Sequence, residues 1–378
     1  MSLSARTLTA SLVRRRAARR VALGGVSLLL VLGACKKGEA PTAPSTPAVA
    51  PAPKDKADVD LAKLAIFQPP LPAVFEAAQN PSTDDKIALG RQLYFDKRLS
   101  KNHDVSCNTC HRLDAYGVDQ LKVSLGHRKQ AGSRNSPTVY NAAGHFLQFW
   151  DGRAETVEAQ AIGPIMNPVE MALPSEARLV ATLRSIPEYQ AAFTKAFPDD
   201  KEPITLARVG QAIAAFERKL VTPAPFDKLL AGDKTALTEQ EKAGLNKFME
   251  VGCTACHLGT LLGGKMFQKA GLVQAWPSQV DPGRFQVTKQ DADKMFFKVP
   301  SLRNVAMTAP YFHDGSVATL DEAVTQMARH QLGKQLSKED VSSIVTFLRS
   351  LTGTIPVEYT KEPALPKSTP RTPPPDPA

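Results

Sequence analysis

The chain has 378 residues, 43% of them hydrophobic and 6% aromatic, with 30 prolines and five cysteines. Its length allows two domains of roughly 100–200 residues each. The formal charge of +10 owes more than half to six arginines near the N-terminus, without which it is +4, so the composition gives no ground for a nucleic-acid partner.

Residues 1–34 hold Arg6, Arg14, Arg15, Arg16, Arg19 and Arg20, no acid, and then an apolar run from Val21 to Leu32. Such a run is too short to span a bilayer, and the pattern predicts a signal peptide. Its end, Leu32-Gly33-Ala34-Cys35, resembles the lipobox of bacterial lipoproteins, in which the cysteine becomes an acylated N-terminus. This resemblance implies lipidation of Cys35, and Lys36 after it suits sorting to the outer membrane. The expected location is the periplasm, with the membrane touched only through that lipid. Residues 35–57 form a Pro/Ala-rich stretch that cannot bury apolar surface and reads as a tether.

Helical periodicity dominates the remainder of the chain. Ser82-Thr83-Asp84-Asp85 opens a stretch with Ile87, Gly90, Leu93 and Tyr94 on one face. A first Cys-x-x-Cys-His pentad, Cys107 to His111, comes next. Leu206, Val209, Ile213, Phe216 and Leu220 recur at helical spacing from Thr205 to Leu220, and a Pro-rich turn from Thr222 to Asp233 marks the expected boundary. Thr238-x-x-Glu241 has the form of a capping box and opens a helix with Leu245 and Phe248, which runs to a second pentad, Cys253 to His257. Val341, Ile344, Val345, Leu348 and Leu351 predict a last helix from Ser337 to Leu351, stopped at Gly353. No sustained alternation argues for a sheet.

The two pentads lie 146 residues apart and use four of the five cysteines. Two thiols at i and i+3 on one helical turn suit addition to the two vinyl groups of one haem, while the next residue offers imidazole to the iron. Four-cysteine zinc sites usually bring their pairs much closer in sequence and do not need a histidine after both, and a dithiol redox pair needs no histidine. The expected fold class is therefore mainly α, with two c-type cytochrome domains, each carrying one covalently bound haem. The N-terminal domain is expected over residues 58–225 and the C-terminal one over 226–359, with a disordered Pro-rich tail at 360–378. Cys107, Cys110 and His111 bind one haem; Cys253, Cys256 and His257 bind the other. The opposite axial positions stay open at this point, because His103, His127, His145, His313 and His330 are all available and spacing does not choose among them.

Several segments narrow the choice: Ser124-Leu125-Gly126-His127, Arg134 to Asn141, Phe149-Trp150-Asp151-Gly152-Arg153-Ala154, and Val299 to Val305 continuing through Thr308 to Gly315. In order and approximate spacing, from about Ile87 to Leu351, the chain resembles the bacterial di-haem cytochrome c peroxidases. The resemblance implies a peroxidatic first haem, with His111 proximal and His127 a distal ligand that must leave before peroxide binds. It implies an electron-accepting second haem, with His257 proximal and Met327 distal; Met307 is the nearby rival. Trp150 corresponds to an aromatic residue between the haems. Gln160 and Glu170 correspond to the distal-pocket pair, with Glu170 as acid–base and Gln160 positioning peroxide or water. Asn135, Thr308 and Pro310 correspond to a calcium site built from one amide oxygen and two backbone carbonyls, a donor set that suits Ca²⁺.

The implied reaction is reduction of hydrogen peroxide to water, with electrons from a small periplasmic cytochrome c or cupredoxin, and the implied assembly is a homodimer. Two other functions compete with it. One related branch oxidises tryptophans of a partner protein and carries Tyr where Met327 stands. A plain di-haem electron carrier would keep both irons permanently six-coordinate.

Overall fold

The computed structural model describes residues 58–378; the expected signal peptide, Cys35 and the tether lie outside the described residues. The helices are α1 (Asp84–Phe95), α2 (Cys107–Cys110), α3 (Val157–Met166), α4 (Glu176–Arg184), α5 (Pro187–Ala196), α6 (Leu206–Glu217), α7 (Pro225–Leu230), α8 (Glu239–Val251), α9 (Phe285–Thr288), α10 (Leu320–Leu332), α11 (Lys338–Arg349) and α12 (Val357–Thr360). Among the described residues the one sheet is a pair of short antiparallel strands, β1 (Phe267–Lys269) and β2 (Phe296–Lys298), with Phe267 opposite Lys298. The mainly helical expectation holds. No helix of the described residues is long and apolar enough to cross a membrane.

Local chemistry sets the helix starts. The Thr83 hydroxyl accepts the Lys86 N–H, and Asp84 and Asp85 place negative charge at the positive end of α1. At α8 the expected capping box forms: the Thr238 hydroxyl accepts the Glu241 N–H, and the Glu241 carboxylate accepts the Thr238 N–H at 2.8 Å. The hydroxyls of Thr205 and Ser337 cap α6 and α11 by accepting the Arg208 and Asp340 N–H groups.

Two main hydrophobic cores result, beside smaller clusters, and each is organised by a crossing helix pair. In the first, α1 meets α6 at Gly90, where an added Cβ would lie 1.9 Å from the Ala212 carbonyl oxygen. In the second, α8 meets α11 at Gly244, where it would lie 2.1 Å from the Ser343 carbonyl oxygen. Backbone lies against backbone at both crossings, so a side chain there forces the helices apart. Gly90→Val is expected to cost about 1–3 kcal/mol by overpacking. Denaturant unfolding of the haem-loaded protein checks this, and an unchanged midpoint would refute the close crossing.

Each end of the described region packs on a core. Residues 58–67, expected in the first domain, pack on the second core through Val59, Leu64 and Phe67, the last edge-on to Phe226 at 5.5 Å. Their apolar side chains find the face of α7, and Gln68 ties the turn by donating to the Leu230 carbonyl. Beyond α11 the chain returns over the first core, where Ile355, Tyr359 and Leu365 pack. Prolines supply carbonyls without matching N–H groups. Basic side chains beside the first core bind oxygens of the C-terminal segment, one of them a proline's: Arg91 donates to the Glu358 and Lys361 carbonyls, Arg178 to that of Pro374 and Lys101 to an Ala378 oxygen.

Candidate haem centres

At the first pentad, α2 is one turn long, and Thr109 Oγ1 accepts the Ser106 N–H at 2.9 Å to close its start. His111 ends the turn. Tyr94 of α1 donates to the His111 carbonyl at 2.7 Å, which anchors the pentad to the α1–α6 pair. The imidazole Nδ1 faces the Gly117 carbonyl at 3.3 Å and Ser136 Oγ at 3.2 Å. A proton on Nδ1, shared with that carbonyl, leaves the Nε2 lone pair for a metal. Burial lowers the His111 pKa and so favours the neutral ring that ligation needs.

The second pentad follows Gly252, whose φ of 98° lets the chain leave α8 and enter the Cys253–Ala255 turn at once. His257 Nδ1 lies 3.0 Å from the Leu262 carbonyl, again freeing Nε2, and burial lowers its pKa. Burial pushes the Cys107 thiol up, as it does Cys110, to about 11, and Cys253, to about 12. Dithiol redox centres and zinc sites depend on the opposite shift, toward thiolate. The four pentad cysteines are free of disulfides, as haem attachment requires.

Cys253, Cys256, His257 and Met327 line one cavity of about 250 Å³ whose wall is largely apolar, including Phe248, Val305, Leu320, Ile344 and Leu348. Met327 sits on α10 and packs against the Trp276, Met295 and Phe297 cluster. The rival Met307 is 41% exposed and is not part of that wall. These residues fit a haem: paired thiols, an oriented imidazole, a facing thioether and an apolar sleeve.

His127 sits in a tight loop whose ends are clasped by the Gly132 N–H on the Ser124 carbonyl and the Gly126 N–H on the Gln130 carbonyl, both at 2.9 Å. The loop rests on the turn that carries Glu170. The His127 N–H donates to the Glu170 carbonyl at 2.7 Å, and a Cβ at Gly126 would meet the Val169 carbonyl oxygen at 2.1 Å. His127 is buried, yet its Nδ1 has no partner, an orphaned atom of the kind a missing group explains. Arg128 (φ 56°) and Lys129 (φ 58°) are consecutive non-glycine residues in the left-handed region, so the loop stores backbone strain.

Glu170 lines a second cavity of about 480 Å³ with Phe149, Arg153, Asn167 and Gly163. Burial raises its pKa, against the opposing pull of Arg153 and a hydrogen bond from Asn167. Gln160 is half-buried on α3 but is not part of that wall, so the expected pair does not share one surface. Trp150 lies against the second-centre cluster, and its Nε1–H donates to the Asn135 carbonyl at 2.9 Å. Asn135, Thr308 and Pro310 come together around the cavity that holds Met327. The Asn135 amide nitrogen donates to the Leu121 carbonyl at 3.0 Å, which leaves its oxygen for a cation.

Some functional contacts leave no trace in the sequence. Arg134 bridges the two halves, donating to Asp151 at 2.5 Å and to Asp281 at 2.6 and 2.8 Å. Its partners are 17 and 147 residues away, so no local spacing betrays them. The contact between Lys298 and His145, 153 residues apart, is hidden for the same reason.

The profile of a family described as "Di-haem cytochrome c peroxidase" matches residues 84–235. The cytochrome c551 peroxidase of Pseudomonas aeruginosa is 49% identical over 314 residues, covering 81% of this chain and 90% of that protein. The methylamine utilization protein MauG of Methylophilus methylotrophus is more distant, 37% identical over 72% of this chain and 84% of its own. Among solved structures, a MauG-like protein associated with microbial copper homeostasis superposes with a TM-score of 0.69 at 29% identity, covering 78% of this chain and 95% of its own. The chain belongs to the di-haem cytochrome c peroxidase family.

Proposed function

We propose that this protein reduces hydrogen peroxide to two waters, consuming two electrons and two protons, with the electrons delivered one at a time by a small periplasmic cytochrome c or cupredoxin. The observation that carries this is asymmetry. One histidine, His257, shares its cavity with a thioether on a regular helix, while His127 hangs on a strained loop. Bound haem supplies the redox chemistry at both places; a methionine ligand suits electron transfer and a removable histidine suits a substrate site.

In this reading Met327 holds the electron-accepting centre, and Trp150 lies on the route between the two centres. Loss of the His127 N–H contact to Glu170 frees the loop and opens the first centre. Glu170 then moves a proton from one peroxide oxygen to the other, and Gln160 positions peroxide or water from the edge of the pocket. Asn135, Thr308 and Pro310 hold a calcium ion beside Trp150. Cys35 carries the lipid that ties the protein to the outer membrane from the periplasmic side, and the working form is a homodimer. The thioether at position 327, in place of the tyrosine of the tryptophan-oxidising branch, favours peroxide over a protein substrate.

His127→Gly tests the loop. The variant is expected to bind peroxide in the fully oxidised state, without prior reduction, seen as a Soret shift on mixing. A variant that still needs reduction first, with both haems attached, would mean that His127 does not close the site.

A further inference from the structure

The wall of the cavity that holds Cys253, Cys256, His257 and Met327 contains a cation with no counter-ion. Lys298, at the end of β2, is 6% exposed, and among the described residues it has no salt-bridge partner. Its ammonium donates to His145 Nδ1 at 2.6 Å and to the Leu147 carbonyl at 3.0 Å. Its backbone N–H donates to the Trp150 carbonyl at 2.8 Å, which fixes it beside that residue.

An ammonium has three N–H donors, and two are used here. Because His145 Nδ1 accepts from Lys298, a neutral ring carries its proton on Nε2, and that atom is buried with no partner. His145 and Lys298 both line the cavity. They therefore present two unspent donors and one positive charge to the same space. The backbone is shaped for the arrangement: a Cβ at Gly264 (φ 70°) would lie 2.5 Å from the His145 ring.

The surrounding charges do not neutralise Lys298. Asp151, the carboxylate acting on it, is occupied by Arg134 and Arg153. Lys265 is the other charged group facing His145. Burial pushes the Lys298 ammonium down to about 7, and burial together with Lys298 and Lys265 lowers His145. A buried cation with free donors costs stability until an anion meets it.

We infer that Lys298 and His145 form a carboxylate-binding site in this cavity and that its occupant is a propionate of the haem attached at Cys253 and Cys256. The inference rests on the reading that a haem is held there, and it goes further by assigning two residues from opposite halves of the chain to hold that haem's acidic edge. A cation at that edge favours the reduced state, so the site raises the potential of the electron-accepting centre.

The test is potentiometric titration of the haem-loaded protein, combined with redox-difference infrared spectroscopy, in wild type, Lys298→Gln and Lys298→Arg. In Lys298→Gln the reduction equilibrium of the second haem should fall about tenfold, which for one electron is about 59 mV. The first haem should stay unchanged, a carboxylate band should move, and Lys298→Arg should restore both readings. If Lys298→Gln does not attach two haems, Lys298→Met, of similar volume, carries the same test. An unchanged second potential, an equal shift of both haems, or a shift with no carboxylate change would overturn the proposal. Added formate should leave the wild-type potential unchanged; a formate-dependent potential would show that the site takes a free anion instead, which also overturns it. Peroxide turnover, measured on the same wild-type preparation, judges the peroxidase reading separately, since the shift requires only an attached haem.

Discussion

Replacing Glu170 by glutamine is expected to lower kcat for peroxide by about 10²–10⁴-fold, the range that a positioned acid–base group contributes. The carboxyl stands in a cavity of about 480 Å³, with Arg153 and Asn167 beside it and burial favouring its neutral form. In the proposed mechanism the raised pKa makes the carboxylate a better base toward one peroxide oxygen, and the acid so formed returns the proton to the other. Glutamine keeps the shape and cannot carry the proton, so KM should change far less than kcat. Haem content, and the hydrogen bond from His127 to the backbone of residue 170, should survive, because that bond uses a carbonyl and not the side chain. Steady-state kinetics decide the matter. Undiminished kcat in a variant with both haems would remove Glu170 from the chemistry and shift attention to Gln160.

Met327→His is expected to lower the potential of the second haem by on the order of 100 mV or more, because a thioether ligand favours the reduced iron and a second imidazole does not. Electron uptake from the donor protein should fall with it, while the first haem keeps its own potential. The placement behind this prediction is specific. Met327 faces the cavity of His257 from α10, whereas Met307 is 41% exposed outside it. Potentiometric titration of each haem provides the check. A second haem whose potential ignores the substitution would mean that another residue caps it.

The helices are legible because their signals are local: the Thr83 and Thr238 caps, the apolar faces of α1, α6 and α11, and the two pentads each lie within a few residues of chain. The packing of the two ends of the described region is not. Val59, Leu64 and Phe67 look like the start of the first domain, yet what they pack against is Phe226 and Leu229, far along the sequence. Composition does not reveal that Arg91, Arg178 and Lys101 bind backbone oxygens of the Pro-rich C-terminal segment. The same limit applies at the centres. The cysteines and proximal histidines announce themselves by spacing, and the family resemblance points to Glu170 and Met327. The Lys298–His145 pair and the Arg134 bridge are contacts across 153 and 147 residues, which only the fold brings together.

In the proposed mechanism the two centres differ, one holding its ligand and the other releasing it. Stopped-flow mixing of the half-reduced protein with hydrogen peroxide, followed in the Soret band, measures this most directly. Rapid peroxide consumption with a spectral change at the first haem alone is the predicted result. Two haems that keep their ligands in every redox state and leave the peroxide unconsumed would contradict it.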